Sequence, residues 1–321
     1  MRSVGRFIVL LPVTLAVVSF VLCMLALFAG RQQGFMEDYA VVRLNTSVVG
    51  RNFLDKISKD DKKDDKKDDK KDDKKGDGGI LGDVKDWLGG KKDEAKDKIK
   101  DKVHNITETV TEKIAQKIGI KDWYSLHIMD SCEGYFRPNA TAPSVELNVT
   151  NCTSSSPSHR LNLTALLDHE LKVGPAKLNL ADIKWPHAIQ DTLDILNNAL
   201  LGLLIMYALG IGFNGLSALG GLAAFAKPEL RILALVNFAV GGLGFLCTII
   251  ASIIVSAATN TGVKAVNTVG HPVGLSAARG DKFFTLSWVA TAFMGVVTLF
   301  WMGRFCLVRR QKKRMPEKYS R

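Results

Sequence analysis

Two cysteines, a few histidines and a set of asparagines hold most of the chain's chemical possibilities. Cys132 and Cys152 are the only cysteines outside apolar segments; Cys23 and Cys247 lie within such segments and Cys306 at the end of one. Nineteen residues separate Cys132 from Cys152, with His127 and His159 nearby. A disulfide closing a loop of that size is worth ~3 kcal/mol in the chain-entropy view. A zinc site would need further Cys or His at ligand spacing. Two free thiols are the remaining alternative. An oxidising compartment makes the disulfide the default, so the choice turns on which side of a membrane this stretch faces.

Other strings suggest chemistry and lose it in context. Asp168-His169-Glu170 looks like a metal or acid–base cluster, but three consecutive residues point in different directions on a helix or a strand. Gly210-Ile-Gly212-Phe-Asn-Gly215 matches the dinucleotide-binding G-x-G-x-x-G string. No strand precedes it, and it lies inside a long apolar run. Small residues here and at Gly241, Gly242 and Gly244 are expected to let helices approach closely, with Asn214 and Asn237 bonding across them. The Lys-Asp repeat at 59–75 could gather calcium, yet its alternating lysines nearly cancel the charge. No nucleophile with a base, no metal-ligand set and no phosphate loop stands out. The expectation is a protein that is not an enzyme and needs no cofactor.

The positioning elements are apolar. Runs at 7–29, 199–226, 232–257 and 283–303 each reach the ~20 residues that cross a ~30 Å hydrocarbon core as a helix, and none contains Asp, Glu, Lys, Arg or His. The fold class is therefore a mainly α membrane protein: a four-helix transmembrane bundle with a large, disulfide-containing first extracellular loop and a small β-sheet. The first run is longer than the apolar core of a signal peptide and lacks a cleavage site, so it reads as an uncleaved anchor. A net charge of +11 does not point to nucleic acid, because eight Lys/Arg and one Glu cluster between Arg304 and Arg321. Such a flank reads as cytoplasmic.

Topology follows from two rules. Basic residues place 1–6, the 227–231 loop (Lys227, Arg231) and the 304–321 tail in the cytoplasm. Six sequons, at Asn45, Asn105, Asn139, Asn148, Asn151 and Asn162, all fall between the first two runs. Those asparagines are glycosylation candidates, and the 30–198 and 258–282 loops are expected outside. Residues 39–49 read as a strand. The 59–75 repeat has no apolar residue to bury and reads as disordered. Segments within 80–118 have amphipathic helical spacing, packed on the external module or lying on a membrane or neighbouring protein. Residues 120–155 form the disulfide module. Cys306, beside the basic tail, is a palmitoylation candidate, and the tail a candidate contact for anionic lipid.

Asp38-Tyr39-Ala-Val-Val-Arg-Leu-Asn45-Thr-Ser, Trp123-Tyr124-Ser-Leu-His127, Cys132-Glu133-Gly134-Tyr135 and Cys152 resemble the fungal PalI/SUR family of claudin-like four-span plasma-membrane proteins. In that light Trp123, Tyr124, His127, Cys132, Glu133, Gly134 and Cys152 are motif residues rather than catalysts. The charged segment at about 56–118 departs from the family pattern, and the short tail fits the eisosome-type branch better than the ambient-pH-signalling branch. The resemblance implies a non-enzymatic organiser of a static plasma-membrane compartment, linked to endocytosis and wall integrity. An accessory role in pH sensing is the alternative, and a transporter or channel comes third. Implied partners are membrane lipids, other compartment proteins and a second copy of the chain.

Overall fold

The computed structural model describes residues 8–49, 121–138, 145–153, 187–227, 230–271 and 274–314. The expectations for Asn105, Asn139, Asn162, the 59–75 repeat, the 80–118 helices and Asp168-His169-Glu170 lie outside those residues. Among the described residues there are five α-helices: α1 (Leu10–Phe28), α2 (His187–Ala226), α3 (Arg231–Ala257), α4 (Val263–Gly270) and α5 (Asp281–Arg314). Five strands form one sheet: β1 (Val42–Asn45), β2 (Trp123–Leu126), β3 (Ser131–Arg137), β4 (Glu146–Cys152) and β5 (Ser276–Arg279).

Among the described residues four helices are long and apolar enough to cross a membrane. In the bundle α1 packs on α2 and α5, and α3 packs on the same two. Leu219, Ile253 and Leu299 are exposed on its outside, as lipid contact requires. The elements overrun the apolar runs. Helix α2 begins at His187 and is 40 residues long, about 60 Å at 1.5 Å per residue against a ~30 Å core. Its added turns are held by Ile189, Leu193 and Leu196, all buried. Residues 258–270, within an expected loop, continue α3 through a π-turn (Ala258–Gly262) into α4.

The sheet is antiparallel in the order β4-β3-β2-β1-β5. Only Val42–Asn45 of the 39–49 stretch is strand. β5 comes from the second inter-helix segment and pairs with β1, setting Leu44 opposite Ala277. One face carries Val42, Leu44, Tyr124, Leu126 and Ala277 into a core shared with Leu193, Leu196, Val255, Val266 and Phe283. Sheet and bundle thus share one apolar interior. A second core at the far end joins Val9, Val13, Ala218, Val297 and Trp301. The N-terminal start of α1 and the basic end of α5 therefore lie at the end opposite the sheet.

Candidate functional site

The sheet's other face carries a polar rung. Arg43 stands opposite Ser125, Ser125 opposite Cys132, and Cys132 opposite Cys152. Cys132 and Cys152 are disulfide-bonded with their Cα atoms 4.1 Å apart. The connector between α1 and β1 runs over this face. Gly30, at φ +79°, ends α1, and any Cβ there would overlap the His127 ring. Glycine is required both for the left-handed backbone and for the close approach. The connector then makes a single 3-10 turn, Glu37–Tyr39, which lowers Glu37 onto the rung.

There the Ser125 hydroxyl donates to Glu37 Oε1 at 2.5 Å, and His127 Nε2 lies 3.3 Å from the same oxygen. Arg43 Nη2 donates to the Glu37 carbonyl at 3.3 Å. Glu37, Ser125 and His127 are all buried. Among the described residues Glu37 Oε2, Arg43 Nε and His127 Nδ1 have no hydrogen-bond partner. Asp38, next in the chain, pairs with Lys282 of α5 at 2.5 Å and with Arg43 at 3.8 Å. The hydrogen bond from Lys282, aided by Arg43, holds the Asp38 carboxyl below its ordinary value. Asp122 is the opposite case: burial raises its carboxyl, although the Phe136 amide donates to it at 3.1 Å.

The geometry decides between chemistries. Ser125 and Glu37 meet the same imidazole nitrogen, whereas a Ser-His-acid relay uses one on each side of the ring. Glu37, His127 and Cys132 offer ligand atoms within 4.8 Å of one another. The sulfur of Cys132 is already committed to Cys152, which leaves one carboxylate and one imidazole, fewer than the four ligands of a structural zinc site. What the cluster does is hold connector and sheet together.

The motif residues acquire local reasons. Trp123 and Tyr124 are fully buried. Glu133 is paired in register with Tyr124 and Asn151. A Cβ on Gly134 would overlap the Asn148 carbonyl and meet the Trp123 ring at 2.7 Å. Of the described sequons, Asn45 ends β1 between β2 and β5, its Oδ1 accepting from the Ser47 amide and hydroxyl at 3.0 and 2.7 Å. Asn148 and Asn151 lie on β4, half-buried and exposed respectively. Cys306 is exposed on α5. Glu37 and Ser125 were not singled out from the sequence as site residues. Ser125 lies 88 positions from Glu37, and no local spacing announces the meeting.

Within the bundle, α2 and α3 meet through pairs of a polar residue and a glycine. Asn214 Oδ1 lies against Gly244, Ser217 against Gly241 and Asn237 Oδ1 against Gly220. A Cβ on Gly244 or Gly220 would overlap the asparagine oxygen, whereas one on Gly241 would only touch the Ser217 hydroxyl. Asn214 Nδ2 also donates to Ser19 of α1 at 3.1 Å, and Ser19 to the Ala290 carbonyl of α5 at 3.0 Å. Nearer the sheet Tyr207 donates to Ser287 at 2.7 Å, and Ser252 bonds Ser287 and Thr291 at 2.7 and 2.8 Å.

Four apolar helices under a disulfide-closed sheet define a multi-pass membrane protein with an extramembrane module. The family description SUR7: SUR7/PalI family matches residues 8–300, and the chain belongs to that family of fungal membrane proteins. No curated protein and no solved structure matches it.

Proposed function

We propose that the chain is a non-enzymatic plasma-membrane organiser of a static cortical compartment of the eisosome type, linked to endocytosis and cell-wall integrity. The observation that carries this reading is the single interior joining sheet and bundle. It gives the membrane domain a module of fixed orientation, suited to lateral assembly with neighbours. The family membership supports the same reading. The sheet faces outward and both termini face the cytoplasm: the sequons on β1 and β4 lie at one end of the bundle, and exposed Arg309 and Arg310 at the other. At that basic end the proposed contacts are anionic lipid and a palmitoyl chain on Cys306. The remaining proposed partners are other proteins of the compartment and a second copy of the chain.

A second reading, an accessory in ambient-pH sensing, draws on the imidazole–carboxylate pair of His127 and Glu37 at the joint between connector and sheet. A transport role has less support, because conducting pathways use ionisable groups inside the membrane and the apolar runs hold none. Live-cell imaging of a fluorescent fusion beside a static-compartment marker tests the proposal. Punctate co-localisation, lost in a stable Cys132→Ser protein, is expected. An even plasma-membrane distribution, or retention in the endoplasmic reticulum, would falsify it.

A further inference from the structure

Asn151-Cys152-Thr153 is both a sequon and half of the disulfide. In the folded sheet all three residues are engaged. Asn151 is paired with Glu133 and Cys152 with Cys132. The Thr153 hydroxyl accepts from the Ser131 amide at 3.0 Å, and the Thr153 amide donates to the Ser131 carbonyl at 2.9 Å. Glycan transfer needs the reverse condition: an accessible, extended acceptor whose third-residue hydroxyl is free for the transferring enzyme. Asn151 is exposed, so a glycan added earlier fits the finished fold.

We infer that Asn151 is a glycan site whose occupancy is set by a race against closure of the Cys132–Cys152 bridge. In one reaction Asn151 Nδ2 bonds the anomeric carbon of a lipid-linked oligosaccharide, loses a proton, and the lipid pyrophosphate leaves. In the other the two thiols give up two protons and two electrons to a disulfide carrier by thiol–disulfide exchange. Closing the bridge draws Thr153 against Ser131 and shuts the sequon. The two clocks overlap. Synthesis from Thr153 to Arg321 at ~5–20 residues per second takes roughly 10–30 s, and disulfides form over seconds to hours. Asn148-Val149-Thr150 is the internal reference, because it lies on the same strand without a cysteine.

The inference rests on the proposal that the sheet faces the lumen and then the exterior. The test is glycopeptide mass spectrometry of the full-length protein purified from its own membrane, as wild type and as Cys132→Ser. That variant leaves the sequon intact, whereas Cys152→Ser would rewrite it. Asn151 is expected to be partly occupied in the wild type. Its occupancy relative to Asn148 should rise by about twofold in Cys132→Ser, and in wild type synthesised with a reductant, if closure is the competing step. An unchanged ratio overturns the inference. A parallel rise at both sites also overturns it, since that reports an opened sheet rather than competition by the sulfur. Glycan at Asn45 or Asn148 with none at Asn151 in either protein overturns the inference alone. No glycan at any sequon overturns the topology as well.

Discussion

The sheet and the bundle bury polar groups by opposite means. In the sheet, large side chains make the enclosure: Trp123, Tyr124, Leu44 and Leu126 are almost wholly buried, and the polar rung beneath Gly30 is sealed by a covalent bond. In the bundle, absence of side chain makes it, as Asn214, Ser217 and Asn237 each rest where a glycine has no Cβ. The difference reflects the solvent. Water drives large apolar surfaces together, whereas lipid tails are as apolar as leucine, so helices gain by close packing and by sheltering polar groups.

Breaking the enclosure of the sheet should have the largest effect. Gly134→Val puts a branched side chain into the Asn148 carbonyl and the Trp123 ring. A loss of more than about 3 kcal/mol is expected, read as rapid proteolysis within β3–β4 while the bundle stays helical by circular dichroism. Cys132→Ser comes next, at about 3 kcal/mol from the unfolded-chain entropy. A thermal melt of the variant in detergent should be shifted down from wild type; an unshifted transition would refute this contribution.

The bundle's turn follows. Gly220→Ala forces a methyl against Asn237 and should cost about 1–3 kcal/mol. Adding Asn237→Ala should restore part of that, because contacting residues couple; additive melts would deny the pairing. Tyr207→Phe removes one hydroxyl bond to Ser287 and should cost only about 0.6 kcal/mol, the average for such bonds in membranes.

The finest test uses two carboxylates of the extramembrane region with opposite signs. Asp38 is lowered in the fold, so its stabilisation is present above the ordinary carboxylate value and lost as pH falls through the lowered one. Asp122 is raised by burial, so its ionised form weakens the fold above the raised value, and stability is regained as pH falls through it. Asp38→Asn should therefore lower the melting temperature at about pH 7, and Asp122→Asn should raise it, with both differences shrinking toward about pH 3. Shifts of the same sign would contradict the assignment.

Much of this was legible beforehand, unevenly. The four spans and the disulfide follow from apolar length and from cysteines outside it, and both are present. The small sheet was expected, but not its fifth strand. Ser-Ala-Ala-Arg at 276–279 has no strand signature of its own and is extended because β1 offers it partners. The early start of α2 could have been seen in Ile189, Leu193, Leu196 and Leu200, which keep helical spacing among polar residues. The meeting of Glu37 with Ser125 and His127 could not, since it depends on Gly30 admitting the connector over the ring.

The pairing of β1 with β5 has a mechanical consequence. One strand descends into α1 and the other into α5, so the sheet is a clasp across two different loops. Among the described residues α2 and the α3–α4 run are braced against its apolar face. Through this packing, a rotation of the four helices in the plane of the membrane is handed on to the sheet, and a sideways pull on the sheet is felt by the bundle.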